Sequence, residues 1–230
     1  MTPAAGACVA RLTGVTKIYG AAGRETAALR NVSMEVRAGE LVLLLGASGS
    51  GKTTLLTLLA GLQRPSEGEV ELYGRSVTDY PARELQRLRA TGIGFIFQTF
   101  HLIDALTVID NVMLVMKFAG VDRREARRRA QDFLDRFGIG HLAPSRPRTL
   151  SQGEKQRVAV ARALVNGAGF IIADEPTASL ASRQGMEIVS FLQTSVRTEG
   201  RCCVVASHDE RIIGYADRIL RVEDGMLKPG

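Results

Sequence analysis

Five consecutive apolar residues, Leu41-Val42-Leu43-Leu44-Leu45, run into Gly46-Ala47-Ser48-Gly49-Ser50-Gly51-Lys52-Thr53 and then into the leucine-rich stretch 54–59. No other stretch restricts the fold of this chain as tightly. A short unbroken apolar run predicts a strand covered on both faces, as in a parallel sheet. The octet satisfies G-x-x-x-x-G-K-[ST], in which glycines adopt backbone conformations closed to other residues and successive amide N–H groups turn inward around a polyanion. The helix expected from about Lys52 adds the positive end of its dipole at the same point. Gly46, Ser48, Gly49, Ser50, Gly51, Lys52, Thr53 and Thr54 are therefore candidate phosphate-binding residues, with Lys52 reaching for β- and γ-phosphates and the Thr53 hydroxyl for magnesium. The bare pattern arises by chance in about one chain in a hundred of this length, and its position between strand and helix makes chance rarer still.

Such a loop needs a second group on the magnesium side. Phe170-Ile171-Ile172-Ala173-Asp174-Glu175 offers one, an apolar strand ending in two carboxylates. Asp174 is the candidate metal ligand. Glu175 is the candidate general base, because a carboxylate near a γ-phosphate can accept the proton of attacking water as the new bond forms. Alone, an apolar run followed by Asp-Glu is a common strand end; paired with the loop, it reads as functional.

The other elements fit an α/β chain. Strand patterns occupy residues 8–12, 32–36, 68–73, 93–97, 202–206 and 219–222, besides the two apolar runs. The middle is helical: Thr107 can cap a helix running towards Phe118, Asp122 can cap the next, Gly138 sits where a left-handed terminator is expected, and a further helix follows Ser151. Residues 99–165 interrupt the strand-helix alternation and form the candidate inserted helical subdomain, within a single domain spanning 1–230.

Composition excludes several classes. Hydrophobic residues make up 45% and charged residues 23%, which suits a globular chain, and no apolar run approaches the roughly 20 residues of a bilayer span. Residues 1–11 lack the basic start and apolar core of a secretory signal, so a cytosolic location is expected. Cys202 and Cys203 are adjacent, and Cys8 leaves the count odd, which predicts buried reduced thiols and no disulfide framework. His101, His141 and His208 show no ligand spacing with each other or with cysteine. The net charge of +6 attracts anions only non-specifically. Its densest run, Arg123, Arg124, Arg127, Arg128 and Arg129, alternates at helical spacing with Ala126, Ala130, Phe133, Leu134 and Phe137. Those arginines read as the solvated face of an amphipathic helix, and no nucleic-acid partner is expected.

Leu150-Ser151-Gln152-Gly153-Glu154-Lys155-Gln156-Arg157, just upstream of the Asp-Glu strand, resembles the signature of ABC-transporter nucleotide-binding subunits. Together with the loop and the carboxylates, the resemblance runs from residue 19 to residue 208 with every motif in the family's order. It implies an α/β fold: a P-loop NTPase (RecA-like) core with an antiparallel β subdomain and an inserted α-helical subdomain. The implied activity is an ATPase using ATP and Mg2+. In the family's terms, Tyr19 matches the aromatic that stacks on adenine, Gln98 the glutamine that senses magnesium and attacking water, and His208 the switch histidine that contacts the γ-phosphate. Catalysis would then fall to Glu175, His208, Gln98 and Lys52, and metal binding to Thr53, Gln98 and Asp174. Ser151, Gly153 and Glu154, at a helix N-terminus, would meet the γ-phosphate held by another copy, which implies a head-to-tail homodimer with ATP sandwiched between its halves.

Two positions depart from the family pattern. Gln152 replaces a glycine between the retained Ser151 and Gly153, and Ala181 stands where an aspartate usually helps to align the two sites. Ala181 is expected to slow hydrolysis without abolishing it. Within the family, Phe95-Ile96-Phe97-Gln98, Phe100-His101-Leu102, Leu106-Thr107 and Asp110-Asn111-Val112 look most like the subgroup serving lipoprotein release, macrolide export and the cell-division complex. That resemblance implies a membrane permease partner with an extracytoplasmic domain, and a peripheral location on the cytoplasmic side of the bacterial inner membrane. Phe100, Leu102 and Leu106 are either core or part of the groove receiving that partner. The implied work is export or extraction of a lipoprotein-, lipid- or macrolide-type substrate; the alternative is an ATP-driven switch acting on an extracytoplasmic process without transport. Relatives acting on DNA or ribosomes usually carry coiled-coil insertions or paired cassettes, which this sequence lacks.

Overall fold

The computed structural model describes residues 4, 6–21, 24–178, 180 and 182–229. Strands β1 (Cys8–Tyr19), β2 (Thr26–Arg37), β4 (Glu67–Leu72) and β5 (Arg75–Ser76) form an antiparallel sheet in the order β2-β1-β4-β5. A second sheet runs β10-β9-β3-β8-β7-β6, built from β3 (Leu41–Leu45), β6 (Ile93–Ile96), β7 (Phe170–Asp174), β8 (Cys202–Ser207), β9 (Arg218–Glu223) and β10 (Met226–Pro229). Its strands are parallel apart from the antiparallel edge pair β9 and β10.

The period of two along each central strand sorts its side chains into two cores. Val42, Leu44, Ile172, Val204 and Ala206 pack with Leu55, Leu56, Leu58 and Leu59 of helix α1 (Lys52–Leu59) and with the antiparallel sheet. Leu43, Leu45, Ile171, Ala173 and Val205 face the other way, against helices α5 (Gln152–Leu164) and α6 (Ser182–Glu199). Burial on both faces is what the unbroken apolar runs require, and each fully buried Leu or Ile contributes about 1.5–3 kcal/mol. Cys202 joins the first core and Cys203 the second, both as free buried thiols, as adjacent strand positions must.

Helices α2 (Ala82–Gly92), α3 (Val108–Phe118) and α4 (Arg123–Arg136) lie between β5 and α5 in sequence. The sequence-read caps are in place: Thr107 Oγ1 accepts from Asp110 N at 3.2 Å, Asp122 Oδ1 accepts from Arg124 N at 2.9 Å, and Gly138 has φ 68°. A third core joins α3 and α4 to one side of α5 through Val112, Met116, Ala130, Leu134, Val158 and Ala161. The other side of α5 belongs to the sheet core through Val160, Ala163 and Leu164, so α5 is shared by both layers. On α4, Arg128 pairs with Glu125 and Asp132, and Arg129 with Glu125, all at the surface, which is the solvated face expected from the periodicity. Among the described residues, no helix is long and apolar enough to cross a membrane.

Five elements differ from the sequence reading. Strands β1 and β2 each run for 12 residues, well beyond 8–12 and 32–36, because bulges break the alternation; β1 shifts register between Leu12 and Val15, where Gly14 has φ 59°. Helix α2 escaped notice because only Leu88 and Gly92 of it are buried. The edge strands β5 and β10 are too short to carry a pattern.

Strand β6 crosses α5 so closely that a Cβ on Gly94 would stand 2.2 Å from the carbonyl oxygen of Ala163. Both partners are backbone, so neither can swing aside. Gly94→Ala is expected to destabilise the fold by about 1–3 kcal/mol as an overpacking change, read as a lower urea midpoint; an unchanged midpoint would show that β6 and α5 separate at little cost.

Candidate phosphate-binding and hydrolytic site

Four neighbouring parallel strands, β3, β8, β7 and β6, end on the same side of the sheet, and each delivers a site residue there. The carboxyl edge of a parallel sheet is where ligands of open α/β folds bind. The phosphate loop follows β3, His208 follows β8, Asp174 closes β7 with Glu175 next to it, and Gln98 follows β6. These residues, with Ser48, Gly49, Gly51, Lys52, Thr53 and Thr54, wall one pocket of about 250 Å3.

Helix α1 is left open at its N-terminus. Helices α3, α4 and α5 each have a side-chain cap, whereas α1 has none and carries no acidic residue in its first turn. Its terminal N–H groups and its positive dipole end therefore face the pocket available to an anion. The capping position is Gly51 at φ 110°, where a Cβ would lie 2.5 Å from the carbonyl oxygen of Ala28, so conformation and space both demand glycine. Ala28, on β2, is the one pocket residue that the sequence reading missed; an alanine in an alternating strand carries no signal of its role.

Charge is concentrated and buried here. Lys52 is 6% exposed; its Nζ donates to the carbonyl oxygens of Gly46 at 2.7 Å and Ala47 at 3.0 Å and lies 3.6 Å from Glu175 Oε1. Glu175 Oε1 is also 3.0 Å from Nδ1 of His208, and the Ser207 hydroxyl donates to its other oxygen at 3.3 Å. Glu175 holds φ 47°, a left-handed conformation that costs a non-glycine residue about 1–3 kcal/mol and gathers at functional sites. Its own N–H is fixed to the carbonyl oxygen of Ala206 at 2.9 Å, so the end of β8 sets the turn that aims the carboxylate.

Asp174 accepts a hydrogen bond from Thr53 Oγ1 at 2.8 Å through Oδ2, while its buried Oδ1 has no partner among the described residues. Burial pushes this carboxyl above the usual range and the neighbouring Glu175 adds to the rise, against the opposing effects of the Thr53 hydrogen bond and Lys52. A buried carboxylate oxygen beside a hydroxyl and the Gln98 amide is a hard-oxygen set suited to magnesium, which typically takes one or two protein oxygens and completes its shell with phosphate and water. Among the described residues, no group of three or more His, Cys, Asp or Glu could hold a metal by itself.

Some expected residues lie elsewhere. Tyr19 ends β1 with its hydroxyl donating to Gln63 Oε1 at 2.6 Å, and its ring is not on the pocket wall. Ser151 caps α5 in a reciprocal box, its N–H and hydroxyl each 2.7 Å from Glu154 Oε2 and its Oγ accepting from Glu154 N at 3.3 Å; neither residue lines the pocket of its own chain. Gly153 packs towards Gln184 and Leu180. Ala181 lies outside the described residues.

Residues 29–178, which contain the loop, Gln98, the signature and both carboxylates, match the family model described as ABC transporter. The chain belongs to the ABC transporter family. This ABC cassette is 41% identical over 220 residues to the putative hemin import ATP-binding protein HrtA of Staphylococcus haemolyticus, covering 95% of its own length and 98% of the relative's. It is 41% identical over 222 residues to the macrolide export ATP-binding/permease protein MacB 1/2 of Paracoccus denitrificans, and spans 33% of that longer protein. Its fold superimposes on the dimeric ATP-binding cassette MJ0796 bound to ADP and Pi with a TM-score of 0.90, at 36% identity and covering 96% and 98% of the two chains. The P-loop NTPase fold, the ABC-type ATPase activity and the role of ATP-binding transporter subunit follow from membership.

Proposed function

We propose that this cassette hydrolyses magnesium-ATP at a site shared by two copies and thereby drives a membrane subunit of the MacB-like exporter subgroup. One observation carries the reading: four adjacent strand ends bring the open α1 terminus, Lys52, Thr53, Asp174, Glu175, Gln98 and His208 onto one pocket. Thr53, Asp174 and Gln98 would hold the metal, which when bound neutralises phosphate charge. Lys52 holds the β- and γ-phosphates. Glu175 accepts the proton of attacking water, and His208, 3.0 Å away, orients that carboxylate and contacts the γ-phosphate. Ser151, Gly153 and Glu154 lie outside the pocket of their own chain, which suits a role across a dimer, and MJ0796 is a dimer. Tyr19 is proposed to stack on adenine beside the loop, and Ala181 to make hydrolysis modest.

A second surface supports the membrane partner. An apolar groove of about 330 Å3 runs between α2, β6 and α3, walled by Phe95, Phe97, His101, Leu114, Val115 and Arg162, with the exposed Leu62 and Phe118 also in its lining. Exposed apolar residues beside a groove mark interaction sites. Of the residues read as either core or groove, Phe100 is buried, Leu102 packs on the helical core, and Leu106 lines a different pocket between α3 and α4. The proposed location is the cytoplasmic face of the membrane, and the proposed work is export or extraction of a lipoprotein-, lipid- or macrolide-type substrate, in line with the macrolide export named for the MacB relatives. Chain recovered from detergent-solubilised membranes is expected to bring a membrane-spanning protein with it, and Phe118→Asp to lose most of that recovery; recovery of the cassette alone overturns the assignment. Reconstitution of the pair in vesicles separates transport, seen as ATP-dependent movement of a substrate, from a switch that only remodels its partner.

A further inference from the structure

After β6 the chain passes Gln98 and turns through Phe100 and His101, which hold φ of 61° and 47°. Neither is glycine, so the surroundings must impose a backbone that costs about 1–3 kcal/mol at each residue. Arg162 of α5 braces it, beside local bonds from Phe100 N to the Phe97 carbonyl oxygen at 3.1 Å and from His101 N to that of Thr99 at 2.7 Å. Arg162 Nη1 donates to the carbonyl oxygen of His101 at 2.6 Å and its Nη2 to that of Phe100 at 2.5 Å. The side chain is buried with no carboxylate in ion-pair range among the described residues, and that burial lowers its pKa to about 10, so the guanidinium stays charged at neutral pH. A buried cation held only by backbone carbonyls is an unfavourable arrangement for stability alone.

The surroundings of this link reach three places. The His101 ring stacks on Phe97 at 4.4 Å, and Phe97 on Phe95 at 4.1 Å, forming the floor of the partner groove. Gln98, next to Phe97, is on the wall of the phosphate pocket. Helix α5, which carries Arg162, starts at the Ser151 cap and is packed into both the sheet core and the helical core. A shift of α5, or pressure from a segment seated in the groove, therefore moves the carbonyls of Phe100 and His101 and with them the residue that enters the pocket.

We propose that Arg162 is the positioning residue that holds the Gln98 loop to the signature helix, so that motion of α5 and occupancy of the groove reach Gln98 through its two hydrogen bonds. This rests on the reading of Gln98 as a metal-side residue of the hydrolytic site.

The test is a double-variant cycle on the full chain, reading ATPase turnover and its magnesium dependence. Gln98→Ala alone should lower turnover and raise the magnesium concentration for half-maximal activity. Arg162→Lys, which keeps the charge but replaces the rigid two-pronged guanidinium with a single ammonium on a shorter side chain, should raise the magnesium requirement in the same way and lower kcat roughly tenfold, with the KM for ATP changed less than about threefold. In the Gln98→Ala background Arg162→Lys should have little further effect, because acting through one residue makes the losses non-additive. His101→Gly, which relaxes the backbone and removes the ring stack without disturbing a buried charge, should show the same dependence on Gln98. Losses that multiply in both double variants overturn the proposal and leave the role of Gln98 intact. A Gln98→Ala chain with wild-type turnover and magnesium dependence overturns both. Melting temperatures of each variant separate a folding loss, which would lower kcat without moving the magnesium requirement.

Discussion

Glu175→Gln is expected to bind magnesium-ATP, hydrolyse it about 10²–10⁴-fold more slowly, and accumulate as a dimer on size exclusion. The magnitude is that of general-base catalysis by a placed side chain. Glutamine has the same shape and offers one accepting oxygen and one amide donor where His208 and Ser207 now contact the two carboxylate oxygens at 3.0 and 3.3 Å, so one contact is kept and the other partner must accept in place of donating. The turn at φ 47° is fixed by the backbone bond to Ala206 and should survive, since both side chains branch alike from Cα. What disappears is the negative charge and its basicity. Loss of that charge also removes repulsion towards a γ-phosphate, so bound ATP should stay longer. If two chains share each phosphate, longer residence of ATP means a longer-lived dimer. A variant that turns over near the wild-type rate removes Glu175 from the role of base. A variant that stays monomeric with magnesium-ATP removes the shared site and leaves the base assignment standing.

Much of the site was legible in the sequence because its residues announce themselves in pairs. The loop at Lys52 and Thr53 requires a carboxylate at the end of another apolar strand, and Asp174 and Glu175 are there; the structure places Thr53 Oγ1 and Asp174 Oδ2 at 2.8 Å. The caps at Thr107, Asp122 and Ser151 were readable for the same reason: their side chains act on backbone only a few residues away. What escaped depends on non-local geometry. The continuation of β1 past Gly14 is held by pairing with β2 and β4, not by its own pattern. Ala28 joins the pocket only because β2 passes beside Gly51. Phe100 could be read as core or as groove; it is buried, on a bend whose carbonyl oxygens accept from Arg162, a contact between residues 62 apart that no local pattern shows.

Asp174→Asn should abolish magnesium-dependent hydrolysis while raising the melting temperature of the nucleotide-free protein. The first effect follows from the chemistry: several kcal/mol of metal-mediated charge stabilisation corresponds to a loss of about 10³-fold or more. The second follows from burial. Oδ1 of Asp174 has no partner among the described residues, and burial with the nearby Glu175 charge raises the pKa of this carboxyl despite Thr53 and Lys52. A carboxyl whose folded-state pKa exceeds its unfolded value binds its proton more tightly when folded. Its ionisation therefore weakens the fold, and the stability linked to it is fully present below about pH 4, the unfolded value, and lost as pH rises through the folded value. Asparagine cannot ionise and escapes that loss, while its carbonyl can still accept from Thr53. Each kcal/mol gained would appear as ~2–4 °C in a domain of this size. Calorimetry with EDTA should show the gap at neutral pH and see it shrink on acidification as wild-type Asp174 protonates. Adding magnesium-ATP should reverse the order, since ligand binding stabilises only the chain that can bind it fully. An asparagine variant that melts below wild type at neutral pH without nucleotide, or a gap that ignores pH, would show that Asp174 is not held charged against the fold, and the orphaned oxygen would lose its meaning as a metal site.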